Sequence, residues 1–99
     1  MLSSRRYIFK AIFQKSFDKL IPEKQELVLK ALEALDSYFS KGTASFGLHI
    51  KRLHDGGSAK THEARVNIDL RILWVETKDE IVFALLGNHD DVRRFIKNL

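Results

Sequence analysis

Past Gly42 the period of the apolar residues changes from helical to strand-like, and that change limits the possible folds more than any other feature. Phe13, Phe17, Leu20 and Ile21 recur at i, i+4, i+7 and i+8, the stripe of a short amphipathic helix. Pro22 suits the first position of a second helix, where no backbone N–H is needed. Glu23 and Glu26 follow early in that helix, where its dipole favours carboxylates. Val28, Ala31, Leu32, Leu35, Tyr38 and Phe39 then make a wide apolar face. It stops at Lys41 and Gly42, a cation followed by a glycine cap. Residues 13–41 are therefore predicted to form a helical hairpin, each helix with one face to bury.

After Gly42 the pattern turns strand-like. Leu48 to Leu53 reads as a strand and His54 to Thr61 as a polar loop. His62 to Val66 alternates small or apolar residues with charged ones, and Asn67 to Asp69 carries turn residues. Arg71 to Thr77 is a further strand containing Trp74, and Lys78-Asp79-Glu80 a tight polar turn. Ile81 to Leu86 is apolar on both faces, as a central strand should be. Tyr7 to Ile12 is aromatic and β-branched enough for a first strand. Asn88 and Asp90 are candidate N-caps of a last helix bearing Val92, Phe95, Ile96 and Leu99. The expected architecture is α+β, in the order β-α-α-β-β-β-α. The helical hairpin and the C-terminal helix pack on a mainly antiparallel sheet.

Several function classes are excluded by what is missing. With 99 residues, no internal repeat and no linker, residues 1–99 are expected to form a single domain. No apolar run approaches the roughly 18 residues of a membrane span, and no apolar core of a secretion signal follows Met1. A cytoplasmic protein with no membrane partner is expected. Cysteine is absent, which removes disulfides, thiolate zinc sites and thiol nucleophiles together. Gly56-Gly57 lacks the pattern of a phosphate loop, and no GxSxG supports a serine nucleophile. The histidines at 49, 54, 62 and 89 have no short metal-ligand spacing. Asp90 and Asp91 are neighbours that do not face each other on a helix, so they read as capping residues.

Charge points further. The chain carries 17 Lys and Arg against 13 Asp and Glu, a net charge of +4 that is compatible with a polyanionic partner. Its sheet half gathers Lys51, Arg52, His54, His62, Arg65, Arg71 and His89. Such a set suits metal-independent cleavage of RNA. The 2′-hydroxyl must lose a proton, the phosphorane charge must be met, and the 5′-oxygen must gain a proton. Histidine titrates near neutral pH and serves the first or last task, while arginine meets phosphate bidentately. Each residue taken singly also fits a solvated position on the open face of an antiparallel sheet. Trp74, Phe13, Phe17, Tyr38 and Phe39 read as core, and Arg5 and Arg6 as a basic arm. His49 is left out of the site.

Four stretches in order resemble the RelE/ParE superfamily of bacterial and archaeal toxins. They are Leu48-His49-Ile50-Lys51-Arg52-Leu53, His62-Glu63-Ala64-Arg65-Val66, Leu70-Arg71-Ile72-Leu73-Trp74-Val75, and Ile81 through Gly87-Asn88-His89-Asp90-Asp91-Val92. They are similar to the family's strand ending in KRL, its ARV…YRILY hairpin and its G-x-H-x-x-V ending. The resemblance spans essentially the whole chain, with the helical hairpin matching in pattern only.

It implies a toxin of a type II toxin–antitoxin pair, an endoribonuclease that cuts messenger RNA at the ribosome by 2′-hydroxyl attack and needs no metal or cofactor. Arg71 falls where the family keeps a catalytic arginine and is assigned phosphate stabilisation. Arg65 occupies a position often basic, and His62 and His89 match histidines of the YafQ-like branch, which makes them acid–base candidates. Phe95 lies near a C-terminal aromatic that packs on a base. Lys51, Arg52, His54 and Lys60 complete the expected RNA-binding set. Paired lysines of some members appear here as Glu63 and Arg65, and the terminal tyrosine is absent. The partners implied are a cognate antitoxin, often acidic, together with messenger RNA and the ribosome. The alternatives are ParE-like inhibition of DNA gyrase without nuclease activity, or a degenerate homologue that binds only an antitoxin.

Overall fold

A computed structural model describes residues 5–43, 47–57 and 59–98; Ser58 and Leu99, placed above in a loop and a helix, lie outside them. The elements are β1 (Arg6–Phe9), α1 (Ala11–Asp18), α2 (Pro22–Lys41), β2 (Lys51–Gly56), β3 (Ala59–Arg65), β4 (Arg71–Glu76), β5 (Glu80–Gly87) and α3 (His89–Lys97). They form one five-stranded sheet in the order β1-β5-β4-β3-β2. All neighbours are antiparallel except β1, which the helical hairpin returns parallel to β5. The α+β architecture expected from the sequence is observed, with four strands after the hairpin rather than three.

The stop and start signals work as physics requires. Pro22 opens α2, and Gly42 ends it with φ +75°, its N–H donating to the Tyr38 carbonyl at 2.8 Å. Asn88 caps α3: its side chain accepts from the Asp91 N–H at 2.8 Å, and the Asp91 carboxylate accepts from the Asn88 N–H at 2.9 Å. The Asn67 side chain accepts from the N–H groups of Asp69 and Leu70, which shapes the β3–β4 turn.

Two expectations are corrected. The first strand ends at Phe9, and Ile12 belongs to α1, where it is exposed while Phe13 is buried. His54 to Thr61 is not a loop: β2 and β3 pair through it, His54 with Thr61 and Asp55 with Lys60, around Gly57 at φ +81°. Backbone pairing across the strands supports this outer hairpin without requiring apolar alternation of its residues.

Two cores cover the two faces of the sheet. On one, Phe13, Val28, Ala31, Leu35 and Phe39 of the hairpin pack on Ala64, Ile72, Trp74, Ile81, Phe83 and Leu86. On the other, Val92 of α3 packs with Leu73, Ala84 and Leu85, flanked by Leu53, Phe95 and Ile96. A register shift between Leu73 and Trp74 lets Ala84 and Leu85 both serve the second face. That is why β5 is apolar on both sides.

Candidate nucleic-acid interface

A groove of about 590 Å³ runs between α3 and the outer strands on the second face of the sheet. Lys51 of β2 lies on one side and His89, Arg93 and Lys97 of α3 on the other; Leu53 of β2, Glu63 of β3 and Val92 and Ile96 of α3 line the floor between them, and Asp90 and Arg94 of α3 also line the groove. Apart from Glu63 its floor is apolar, and its walls are basic. Lys51, His89, Arg93 and Lys97 are exposed, and none has an ion-pair partner among the described residues. Arg94 is engaged by Asp91, the carboxylate that also caps the helix.

Strand periodicity decides which of the expected site residues join this groove. Glu63 of β3 projects to the α3 face, and its neighbours His62 and Ala64 project to the hairpin face. Arg71 lies on the α3 face, two positions from Leu73. Its Nη1 donates to Glu63 Oε2 at 3.2 Å, with side chains only 12% and 8% exposed. Glu63 lines the groove, and the arginine assigned to phosphate is held against that carboxylate.

His62 points the other way. Its ring stacks on Trp74 at 5.5 Å between centroids, and its Nδ1, buried without a hydrogen bond, lies 3.9 Å from Glu76 Oε1. Burial lowers its pKa below the ordinary 6.5, and the charges of Arg52 and Lys60 add to this while Glu76 opposes it. Glu76 in turn accepts from Arg5 Nη1 at 2.8 Å and from the Trp74 indole N–H at 3.3 Å. Burial works to raise its pKa, but those two hydrogen bonds and the Arg5 charge outweigh burial and hold it below 4.5.

The expected set of four is thus divided. His89 lines the groove, and Arg71 sits behind Glu63 on the same face. Arg65, at the end of β3, lines a separate depression of about 260 Å³ against Leu27, Ala31 and Ala34 of α2. His62 belongs to the opposite face. Of the expected RNA-binding residues only Lys51 lines the groove. Arg52, His54 and Lys60 are exposed along the β2–β3 hairpin outside it. Phe95 is half-buried packing against the second core. Sequence reasoning missed Arg93 and Lys97, whose signal was their spacing of four and eight residues from His89.

No protein-family model matches the chain, and no curated protein matches it. Solved structures do. The archaeal RelE–RelB complex from Pyrococcus horikoshii OT3 superposes with a TM-score of 0.68 at 15% identity, covering 86% of this chain and 94% of that one. The YoeB dimer from Staphylococcus aureus gives 0.66 at 16% identity over 87% and 98%, and the E. coli DinJ–YafQ complex 0.64 at 14% over 90% and 97%. The chain has the RelE-like toxin fold. In this RelE-like fold the groove occupies the sheet face opposite the helical hairpin, with α3 as one wall.

Proposed function

We propose that this chain is the toxin of a toxin–antitoxin pair and that its α3-side groove binds and cleaves messenger RNA. The observation that carries the reading is one groove, on a RelE-like fold, that joins the imidazole of His89 to a facing ammonium, Lys51. His89 takes the proton of the 2′-hydroxyl as the 2′-oxygen bonds to phosphorus. The bond from phosphorus to the 5′-oxygen breaks, and Lys51, from the opposite wall, gives that oxygen its proton. The products are a 2′,3′-cyclic phosphate and a free 5′-hydroxyl. The phosphorane charge is met by the fixed cations of the groove. An antitoxin with an acidic segment fits the same basic surface and neutralises the toxin by covering it. A neighbouring reading frame with a short acidic product is the expected genetic context.

Primer extension on a ribosome-bound message tests the reading. Removal of one general base costs about 10²-fold or more. His89→Gln is therefore expected to lose cleavage by that factor and His62→Gln to retain it. Equal cutting by His89→Gln and wild type overturns the assignment. Two observations favour a second reading, a toxin that acts on DNA gyrase without cutting RNA: Arg71 is neutralised by Glu63, and His62 faces away from the groove. Loss of gyrase supercoiling with messages left intact would establish it.

A further inference from the structure

The row of basic side chains along α3 has a use that general acid–base chemistry does not account for. His89, Arg93 and Lys97 are spaced four residues apart on a helix that turns 3.6 residues per turn, so they make one nearly straight stripe. A rise of 1.5 Å per residue separates successive members by about 6 Å, a spacing of the same order as that between successive phosphates of an extended strand. The stripe borders the Val92 and Ile96 positions that line the floor, and all five residues line the one groove. Asp90, next to His89 in the groove lining, repels phosphate there, which leaves the direction toward Lys97 open. The floor offers Leu53, Val92 and Ile96 to bases, and its one carboxylate, Glu63, is engaged by Arg71. Nothing on that floor is arranged to read a base edge by hydrogen bonds.

We propose that the α3 stripe is a phosphate track: a single RNA strand lies along α3 with consecutive phosphates at His89, Arg93 and Lys97, and its sequence is not read there. This rests on the nucleic-acid reading of the groove above. It adds Arg93 and Lys97 as the residues that position the strand relative to His89.

The test is fluorescence anisotropy with labelled 2′-O-methyl oligouridylate and oligoadenylate, which bind but present no 2′-hydroxyl to cleave, over a range of salt concentrations. On a single strand each phosphate contact contributes about 0.7 to the slope of log K against log salt. Arg93→Gln and Lys97→Gln are each expected to lower the slope by about that amount, equally on both oligonucleotides, and the double variant by about twice it. Lys24→Gln, exposed on α2 in the opposite layer, should leave the slope unchanged. Circular dichroism of each variant confirms that the helix is intact. The inference is overturned if the α3 variants keep the wild-type slope, if Lys24→Gln lowers it equally, or if polyglutamate competes as well as RNA at equal charge. The cleavage assay separates this from the function reading. Lowered slopes without any cleavage keep the track and remove the nuclease; cleavage indifferent to Arg93 and Lys97 keeps the nuclease and removes the track.

Discussion

Glu63 and Arg71, on adjacent strands of the α3 face, close an ion pair of 3.2 Å with both side chains almost withdrawn from water. A buried pair of this kind contributes little over a well-packed apolar substitute, but breaking it from one side leaves a charge without a partner. Arg71 Nε already lacks a hydrogen bond, so the guanidinium has no second acceptor to fall back on. Glu63→Ala is therefore expected to destabilise the fold by about 3 kcal/mol or more, while Glu63→Leu with Arg71→Met stays within about 1–2 kcal/mol of wild type. Denaturant unfolding of the three proteins checks this. A double variant as unstable as the single one would show that the pair does more than satisfy itself.

The stack of His62 on Trp74 makes stability depend on pH in a definite direction. The folded imidazole titrates below 6.5, chiefly because it is buried, and the unfolded one titrates near 6.5. Unfolding then takes up a proton in the interval between, so stability is full above pH 6.5 and falls as the pH drops below it. Glu76 is held below 4.5, so its contribution is present above that value and is lost as the pH falls through its folded pKa. Thermal melts from neutral to acid pH should show both losses. His62→Gln is expected to abolish the one that begins near 6.5 and to keep the one below 4.5.

Gly87 is required by what lies over it. A methyl group there would stand 2.5 Å from Asp91 Oδ2 and 2.8 Å from its Cβ, and that same oxygen accepts the Asn88 N–H. Asn88→Ala removes the cap alone and should cost about 1 kcal/mol. Gly87→Ala displaces Asp91 as well, adding an overpacking cost of about 1–3 kcal/mol. For a domain of this size each kcal/mol lowers the melting temperature by about 4–8 °C. The expected order of melting temperatures is wild type, Asn88→Ala, then Gly87→Ala. The reverse order for the two variants would mean that α3 shifts to make room.

Much of the fold can be read from residues with one physical meaning. Pro22 and Gly42 bound α2, Asn88 opens α3, and the two-sided run from Ile81 marks an interior strand. The outer part of the β2–β3 hairpin, residues 54–61, reads as a loop because backbone pairing at a sheet edge imposes no apolar pattern on residues such as His54 and Lys60. The site was legible in composition but not in arrangement. The alternation that separates His62 from Glu63 is plain in β3, yet the sequence does not say which face meets α3. His89, Arg93 and Lys97 are likewise ordinary solvated side chains until the packing of Val92 and Ile96 fixes which side of the helix borders the groove.

Tyr7 fastens β1, a strand with a single neighbour, to the helical layer. Its hydroxyl donates to Asp36 Oδ1 of α2 at 2.5 Å, and its ring meets Phe39 and Phe83 edge-on. Burial, then the hydrogen bond to Asp36 and its charge, raise the phenol to about 12, with Arg5 opposing. The folded value lies above the unfolded 10, so this stabilisation is complete below pH 10 and is lost as the pH rises through about 12. A near-ultraviolet titration should show a tyrosine that ionises only near pH 12, and Tyr7→Phe should remove that phase. The lost hydrogen bond is worth about 1 kcal/mol. β1 pairs with β5 alone, so the loss should appear as local opening. The Lys10 amide, bonded to the Phe83 carbonyl at 3.0 Å, should exchange faster in Tyr7→Phe while amides of β4 keep their protection. Uniform acceleration across the sheet would place the effect in global stability and not in the attachment of β1.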